Sequence, residues 1–274
     1  MSYVDDIDVI KEALKEDIGK RDITTIALVP KNISVRAVLL AKEDFVVCGL
    51  HIAKKVFMLI DKNIRFNSLV KEGEYVKKGE ILAKISGKAR GILTAERVAL
   101  NFLSMLSGVS TLTRRYVQKV RPYKARILDT RKTIPGLRLF LKYAVRIGGG
   151  FNHRFCLDEM VLLKDNHLKA IGDSFWEIGF KKNKKYRREI EVNTLKEFRN
   201  ALELNPDIIM LDNMSLKQMN KAVKLRNNPR PKLEASGGIT LKNVKKVAST
   251  GVDFISVGEL THSVDSVDIS LEIL

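Results

Sequence analysis

The stretch that decides the fold runs from 208 to 259, with IIMLDN at 208–213, LEASGG at 233–238 and FISVGE at 254–259. Each is a short run of branched and aliphatic residues ending in an acid, a serine or glycines. Between them lie LKQMNKAVKL at 216–225 and LKNVKKVA at 241–248, whose apolar residues recur at helical spacing. Strands covered by helices on both faces read as nearly continuous apolar runs, as these do. Working outward toward the N-terminus, the same unit recurs as RILDTRK at 126–132, MVLLKDNH at 160–167 and EIEVN at 189–193. Helical patterns at 137–145 and 195–204 separate them. Strand, polar end and helix, repeated, predict an α/β fold built on a βα barrel. The six runs are fewer than the eight of a full barrel, so a small or incomplete one is expected.

The first hundred residues read as a mixed α/β unit. A short amphipathic helix is expected at 9–14, strands at 34–41 and 44–49, and a helix at 51–60. In VKEGEYVKKGEILAKI at 70–85, Gly73 and Gly79 suit tight turns between short strands. A long helix is predicted from 94 to 120, with Thr94 as its cap and Glu96 in its first turn. Val98, Leu106, Val109, Leu112, Tyr116 and Val120 form its apolar stripe. Asn101, Ser104, Ser107 and Gly108 make a small, polar side that another helix would approach. Arg97, near its start, reads by itself as a surface charge.

With 274 residues and 45% hydrophobic content the chain can bury a large core. The acidic start at 1–22 does not resemble a targeting peptide, and no apolar run is read as crossing a bilayer, so a cytoplasmic location is expected. Cys48 and Cys156 form neither a CxxC pair nor a disulfide framework, which fits a reducing compartment. The HxxC spacing of His153 and Cys156 offers two ligands, too few for a zinc site. The net charge is +17, and its densest run is KKNKKYRR at 181–188. No nucleic-acid-binding motif or interleaved aromatic set accompanies that run, so it reads as a solvated loop. A nucleic-acid binder remains the rival reading of the charge, and it would require a basic stripe rather than a charged cleft. The bulk charge favours the approach of anionic small molecules.

If the six strands are parallel, their polar ends share one rim. That rim holds Arg131, Lys132, Lys164, Glu191, Asp212, the Ser236-Gly237-Gly238 turn and Gly258, with His153 and Arg154 just upstream of the second strand. Arginine offers a planar fork to carboxylate or phosphate, and lysine offers a mobile point charge. Two acids among such cations stay ionised, and they suit Mg²⁺ or ribose hydroxyls. The Ser236–Gly238 turn, leading toward a helix near 241 with Thr240 as cap, suits a phosphate, as does Gly258. Gly148-Gly149-Gly150 reads either as a helix stop or as a second anion turn.

These residues together resemble the quinolinate phosphoribosyltransferase family. The resemblance runs through KEDIGKRDITT at 15–25, TAERVALNFLSMLSGVST at 94–111 and LDTRKTIPGLRLFLKYAVRIGGGFNHRFCLDEMVLLKDNH at 128–167. It continues in EIEVNTLKEF, IIMLDNMS, LEASGGIT and ISVGELTHS. It implies transfer of phosphoribose from phosphoribosyl pyrophosphate to quinolinate with decarboxylation, a step of NAD biosynthesis. It implies Mg²⁺, and a homodimer, or a higher assembly, with active sites shared between subunits. A division into an N-terminal domain at 1–105, a barrel at 106–266 and a returning segment at 267–274 follows. On this resemblance Arg97 is lent by the neighbouring subunit, and Arg131, His153, Arg154 and Lys164 hold the substrate carboxylates. Lys132 lies at the pyrophosphate, Glu191 and Asp212 at the ribose and metal, and Ser236, Gly237, Gly238 and Gly258 at the 5′-phosphate. Lys132, Glu191 and Asp212 are the residues expected to act in the chemistry. Cys156 stands where the family usually has glycine, Glu259 replaces a small residue, and 170–188 diverges. A molybdenum-transport-associated branch of the same family is the rival enzyme, and RKTIPGLR and LLKDNH favour the quinolinate branch.

Overall fold

A computed structural model describes residues 6–172, 185–226, 228–263 and 265–274. Residues 181–184 of the basic run lie outside the described residues. Contacts divide the chain into two compact units. One comprises Met1–Arg114, Ile134–Gly149 and Ser263–Leu274, and the other comprises Arg115–Thr133 and Gly150–His262. Residues 134–149, which the sequence reading assigns to the barrel segment, thus group with the first unit.

The first unit is built on a four-stranded antiparallel sheet in the order β12-β1-β5-β3. Strand β1 (Ser34–Ala41) pairs with β5 (Ile81–Lys88), which pairs with β3 (Arg65–Ser68). The last strand, β12 (Ile269–Ile273), closes the other edge against β1, with Leu39 opposite Leu271. The expected strand at 44–49 is reduced to β2 (Phe45–Val46), paired with β4 (Tyr75–Val76). Gly73 and Gly79 make their turns at φ +81° and +91°, where a side chain would be strained. Helix α3 (Leu50–Ile60) buries Ile52, Ala53, Val56 and Phe57.

The long helix, α4, spans Ala89–Val120 and therefore begins five residues before the expected cap. Thr94 is internal, and its hydroxyl donates to Asp22 Oδ2 at 2.9 Å. Asp22 in turn caps α2 (Ile23–Leu28) by accepting the Thr25 N–H. Glu96 is likewise internal, and burial pushes its carboxyl above the ordinary range against the pull of Arg97. The small face of α4 receives extended backbone as well as a helix end. Ser107 Oγ accepts the Cys48 N–H and Ser110 Oγ donates to the Val46 carbonyl, while Thr111 Oγ1 accepts the Val46 N–H. Gly148 caps α5 (Arg138–Ile147) there, and a Cβ on it would fall 2.6 Å from the Ser110 carbonyl oxygen. The helix-stop reading of this triplet therefore has a steric cause. By length and composition α4 could also cross a bilayer, which corrects the expectation that no segment could, but 61% of its apolar window is buried within the protein.

The second unit carries the parallel sheet. Its strands are β6 (Arg126–Leu128), β7 (Met160–Leu163), β8 (Arg187–Val192), β9 (Ile208–Asp212), β10 (Lys232–Ser236) and β11 (Phe254–Ser256). Their order is β6-β11-β10-β9-β8-β7, and every pairing is parallel. The two edge strands, β6 and β7, do not pair with each other. Instead Phe151 bridges to Leu128, so the segment entering β7 lies beside the open edge of β6. The helices after β8 and β9, α7 (Leu195–Glu203) and α8 (Leu216–Leu225), both begin with capping boxes, from Thr194 and Ser215. The helix after β10, α9 (Val244–Ala248), starts three residues later than expected, and Asn243 rather than Thr240 precedes it. Asn243 Oδ1 accepts the Thr240 N–H at 2.9 Å and its Nδ2 donates to Gly238 O at 2.8 Å, so the intervening turn is tied by a side chain.

At the opposite end of the strands, Asp253 fastens the start of β11 to β10. It accepts from Lys232 Nζ at 2.7 Å, from the Leu233 N–H at 2.9 Å and from Arg226. Burial alone would raise this carboxyl, but those three donors hold it below the ordinary range. Its folded pKa is thus lower than its unfolded one, so its stabilisation is present above the unfolded value and is lost as pH falls through the folded one. Asp253→Asn is expected to destabilise the protein by about 1–3 kcal/mol at pH 7. In urea titrations the gap between variant and wild type should shrink as the pH is lowered beneath about 4, the ordinary Asp value. A gap independent of pH would refute this account.

Candidate active site

The carboxyl ends of the six parallel strands, or the residues just beyond them, line one cavity of about 810 Å³. It is lined by Thr130, Arg131 and Lys132 after β6, Lys164 after β7, and Glu191 near the end of β8. Asp212 and Asn213 follow from β9, Ser236, Gly237 and Gly238 from β10, and Gly258, Glu259 and His262 from the turn and short helix after β11. His153 and Arg154 line it from the segment beside β6. Every site residue proposed from sequence lines this cavity except Arg97, which is exposed on α4 in the first unit. Thr130, Asn213, Glu259 and His262 also line it and were not assigned roles from the sequence.

The cation set is held by backbone geometry. Lys132 donates its N–H to Thr130 Oγ1 at 3.0 Å, and its carbonyl accepts from Thr261 Oγ1 at 2.7 Å. Lys164 sits where β7 passes into α6 (Asp165–Ile171), and its Nζ meets Glu191 Oε2 at 2.8 Å. Arg154 Nη1 donates to the Met160 carbonyl at 2.9 Å, while its Nε is buried with no hydrogen-bond partner. Burial, and then the neighbouring Arg131 charge, lower the Arg154 pKa. Two guanidinium groups are therefore held close together in a partly desolvated wall. An anion relieves that arrangement, and a planar dianion relieves it most.

The segment that carries Arg154 is itself anchored. Buried Asp129 accepts the His153 N–H at 2.9 Å and a second bond from Asn152 Nδ2. Phe151 N–H donates to the Ile127 carbonyl, and the Asp129 N–H donates to the Phe151 carbonyl. His153 Nδ1 accepts the Arg154 N–H at 2.8 Å, and Nε2 lies 3.0 Å from Glu189 Oε2 and 3.6 Å from Glu234 Oε1. Both ring nitrogens thus face protein groups, and the imidazole enters the cavity as part of its wall. The HxxC pair does not form a site: Cys156 lies instead against Asp158.

At Gly237 the backbone and its neighbour both favour glycine. Gly237 has φ +86°, and a Cβ there would fall 2.3 Å from Asn213 Oδ1. Gly258 leaves room for His262 Nε2, 3.0 Å from where its Cβ would stand. Glu259 accepts from Tyr116, whose phenol is pushed up by burial and then by this carboxylate. The acid that departs from the family pattern is therefore tied to a buried phenol. Glu191 and Asp212 supply carboxylate oxygens to the same cavity, the donor type that Mg²⁺ takes together with phosphate oxygens.

Comparison with known proteins agrees with the geometry. Residues 22–107 match the N-terminal domain of quinolinate phosphoribosyl transferase, and 109–272 match its C-terminal domain. A probable nicotinate-nucleotide pyrophosphorylase [carboxylating] of Synechocystis is 42% identical over 270 residues, covering 97% of this chain and 91% of that protein. Its counterpart in Methanocaldococcus jannaschii is 42% identical over 276 residues, with 97% and 96% covered. The crystal structure of nicotinate-nucleotide pyrophosphorylase from Ehrlichia chaffeensis superposes with a TM-score of 0.93 at 38% identity, covering 100% and 99% of the two chains.

Gly237→Ala is expected to raise the KM for phosphoribosyl pyrophosphate by about tenfold or more, since positive φ and the Asn213 contact both oppose it. Steady-state kinetics would check this, and an unchanged KM would remove the turn from the phosphate site.

Proposed function

Because the chain belongs to the quinolinate phosphoribosyltransferase family, and so makes nicotinate mononucleotide, pyrophosphate and CO₂ from quinolinate and phosphoribosyl pyrophosphate, we propose how this cavity performs that reaction. The observation that carries the proposal is Arg154, a half-buried arginine near Arg131 whose Nε is buried and unpartnered. Arg131, Arg154 and Lys164 take the two carboxylates, and His153 forms the wall behind them. Ser236, Gly237, Gly238 and Gly258 take the 5′-phosphate. Lys132, next to Gly258, faces the pyrophosphate.

Held in this way, the pyridine nitrogen lies in line with the anomeric carbon. It forms the new C–N bond with its lone pair as the C–O bond to pyrophosphate breaks, and positive charge develops on the ribose. Glu191 or Asp212 stabilises that charge across the cavity. The electron pair left when the 2-carboxylate departs as CO₂ stays on the ring carbon, stabilised by the adjacent cationic nitrogen, and that carbon then takes a proton. Positioning and charge supply the rate, and no covalent enzyme intermediate is required. Glu191 and Asp212 would hold Mg²⁺, partly through water, and the ion would neutralise charge on the pyrophosphate. Two free cysteines, Cys48 and Cys156, support a reducing compartment such as the cytoplasm.

Release of pyrophosphate and CO₂ from quinolinate, phosphoribosyl pyrophosphate and Mg²⁺ tests the reading directly. Nicotinate, which leaves one carboxylate position of the cation pair empty, should be at least about a hundredfold poorer in kcat/KM. Arg154→Ala should cost quinolinate about 3 kcal/mol of binding, measured by calorimetry. Equal use of both acids would overturn the assignment.

We further propose that the enzyme is a homodimer and that Arg97 completes the partner's cavity. Its exposure on α4 leaves it accessible to a second subunit, which supports this. Arg97→Ala and Lys164→Ala should each be inactive as homodimers. After subunit exchange about half of the dimers are mixed, each with one intact site, so about a quarter of wild-type activity should return. No recovery, with exchange demonstrated by native mass spectrometry, would refute the shared site.

A further inference from the structure

Behind the cavity wall lie two carboxylates that the reaction does not use. Glu189, on β8, and Glu234, on β10, are fully buried. Both Glu189 oxygens and Glu234 Oε2 have no hydrogen-bond partner, while Ser256 Oγ donates to Glu234 Oε1. Such groups are costly to bury, and burial pushes both carboxyls above their ordinary range. The group set between them is the His153 ring, 3.0 Å from one and 3.6 Å from the other.

With His153 these acids could form a three-ligand metal centre, since their donor atoms lie within 4.8 Å of one another. The ring tautomer argues against it. His153 Nδ1 accepts the Arg154 N–H, so the ring hydrogen is on Nε2, the nitrogen that lies 3.0 Å from Glu189 Oε2. A metal on Nε2 would move that hydrogen to Nδ1, against the Arg154 N–H. The charges of Arg154 and Lys164, which act on Glu189, also oppose a second cation there.

We propose that Glu189 and Glu234 are positioning residues for the dicarboxylate substrate: they fix the His153 ring by its Nε2 edge, and the ring fixes the backbone N–H of Arg154, setting where the guanidinium enters the cavity. The chain of contacts is short and wholly within the second unit. β8 and β10 hold the carboxylates, the carboxylates hold the ring, and the ring holds the residue bearing the buried, unpartnered Nε. The proposal deepens the quinolinate reading and rests on it.

The test uses Glu189→Gln, Glu234→Gln, His153→Ala and the two double variants with His153→Ala, each checked for folding by circular dichroism. Wild type must first turn over quinolinate; failure there would sink the functional reading and not this inference. Each Gln variant should raise the KM for quinolinate about tenfold, with calorimetric affinity falling in step, and leave the KM for phosphoribosyl pyrophosphate within about twofold. In the double variants the Gln substitution should add little to His153→Ala, because the acids act through the ring. Additive effects, an equal rise in both KM values, an unchanged quinolinate KM, or loss of folding in both Gln variants would each overturn the proposal. So would stoichiometric zinc or manganese, by mass spectrometry after incubation with either metal, that is lost in Glu189→Gln.

Discussion

Arg154 and Arg131 are like charges held beside each other in a partly desolvated wall, and the rest of the catalytic unit can be understood as what keeps them there. Left to itself, such a pair would separate into water. Arg154 does not, because its Nη1 is tied to the Met160 carbonyl and its backbone N–H to the His153 ring. The residues before it are tied to Asp129 and to the carbonyl of Ile127. An anion placed there would be attracted by both charges.

The open sheet makes this possible. A closed barrel would pair β6 with β7, and the backbone between Gly150 and Arg154 would have to run outside. Here Phe151 takes the place of a neighbouring strand at the edge of β6. His153 and Arg154 are thereby delivered to the cavity wall between the two edge strands, where they line it with the strand ends. The parallel order supplies the remaining residues from strand ends, where helices begin and where glycine turns let phosphate approach.

Much of this was legible in the sequence because it depends on local pattern. Six apolar runs with polar ends gave six parallel strands, and β1 falls on the expected residues 34–41. The family of the chain was legible in the long block from 128 to 167. What was missed depends on contacts distant in sequence. The start of α4 was misplaced because Thr94 is a good cap by residue type, yet Asp22 takes its hydroxyl and the helix runs past it. Asn213 and His262 were passed over because their roles follow from the space left by Gly237 and Gly258. The small face of α4 was assigned to a helix alone, since sequence cannot tell that extended backbone at 46–48 also fills it.

Glu189 and Glu234 were missed for a different reason, and it is instructive about reading barrels. In EIEVN, Glu189 and Glu191 are two apart, so they point to the same face of a strand. Glu191 lines the cavity, so Glu189 must lie one layer deeper on that face. Glu234 stands in the same relation to Ser236 on β10. An acid two residues before a site residue on a buried parallel strand is thus a signal available from sequence alone. It marks a polar layer beneath the site, which needs a partner carried in by some other segment. In this chain that partner is His153.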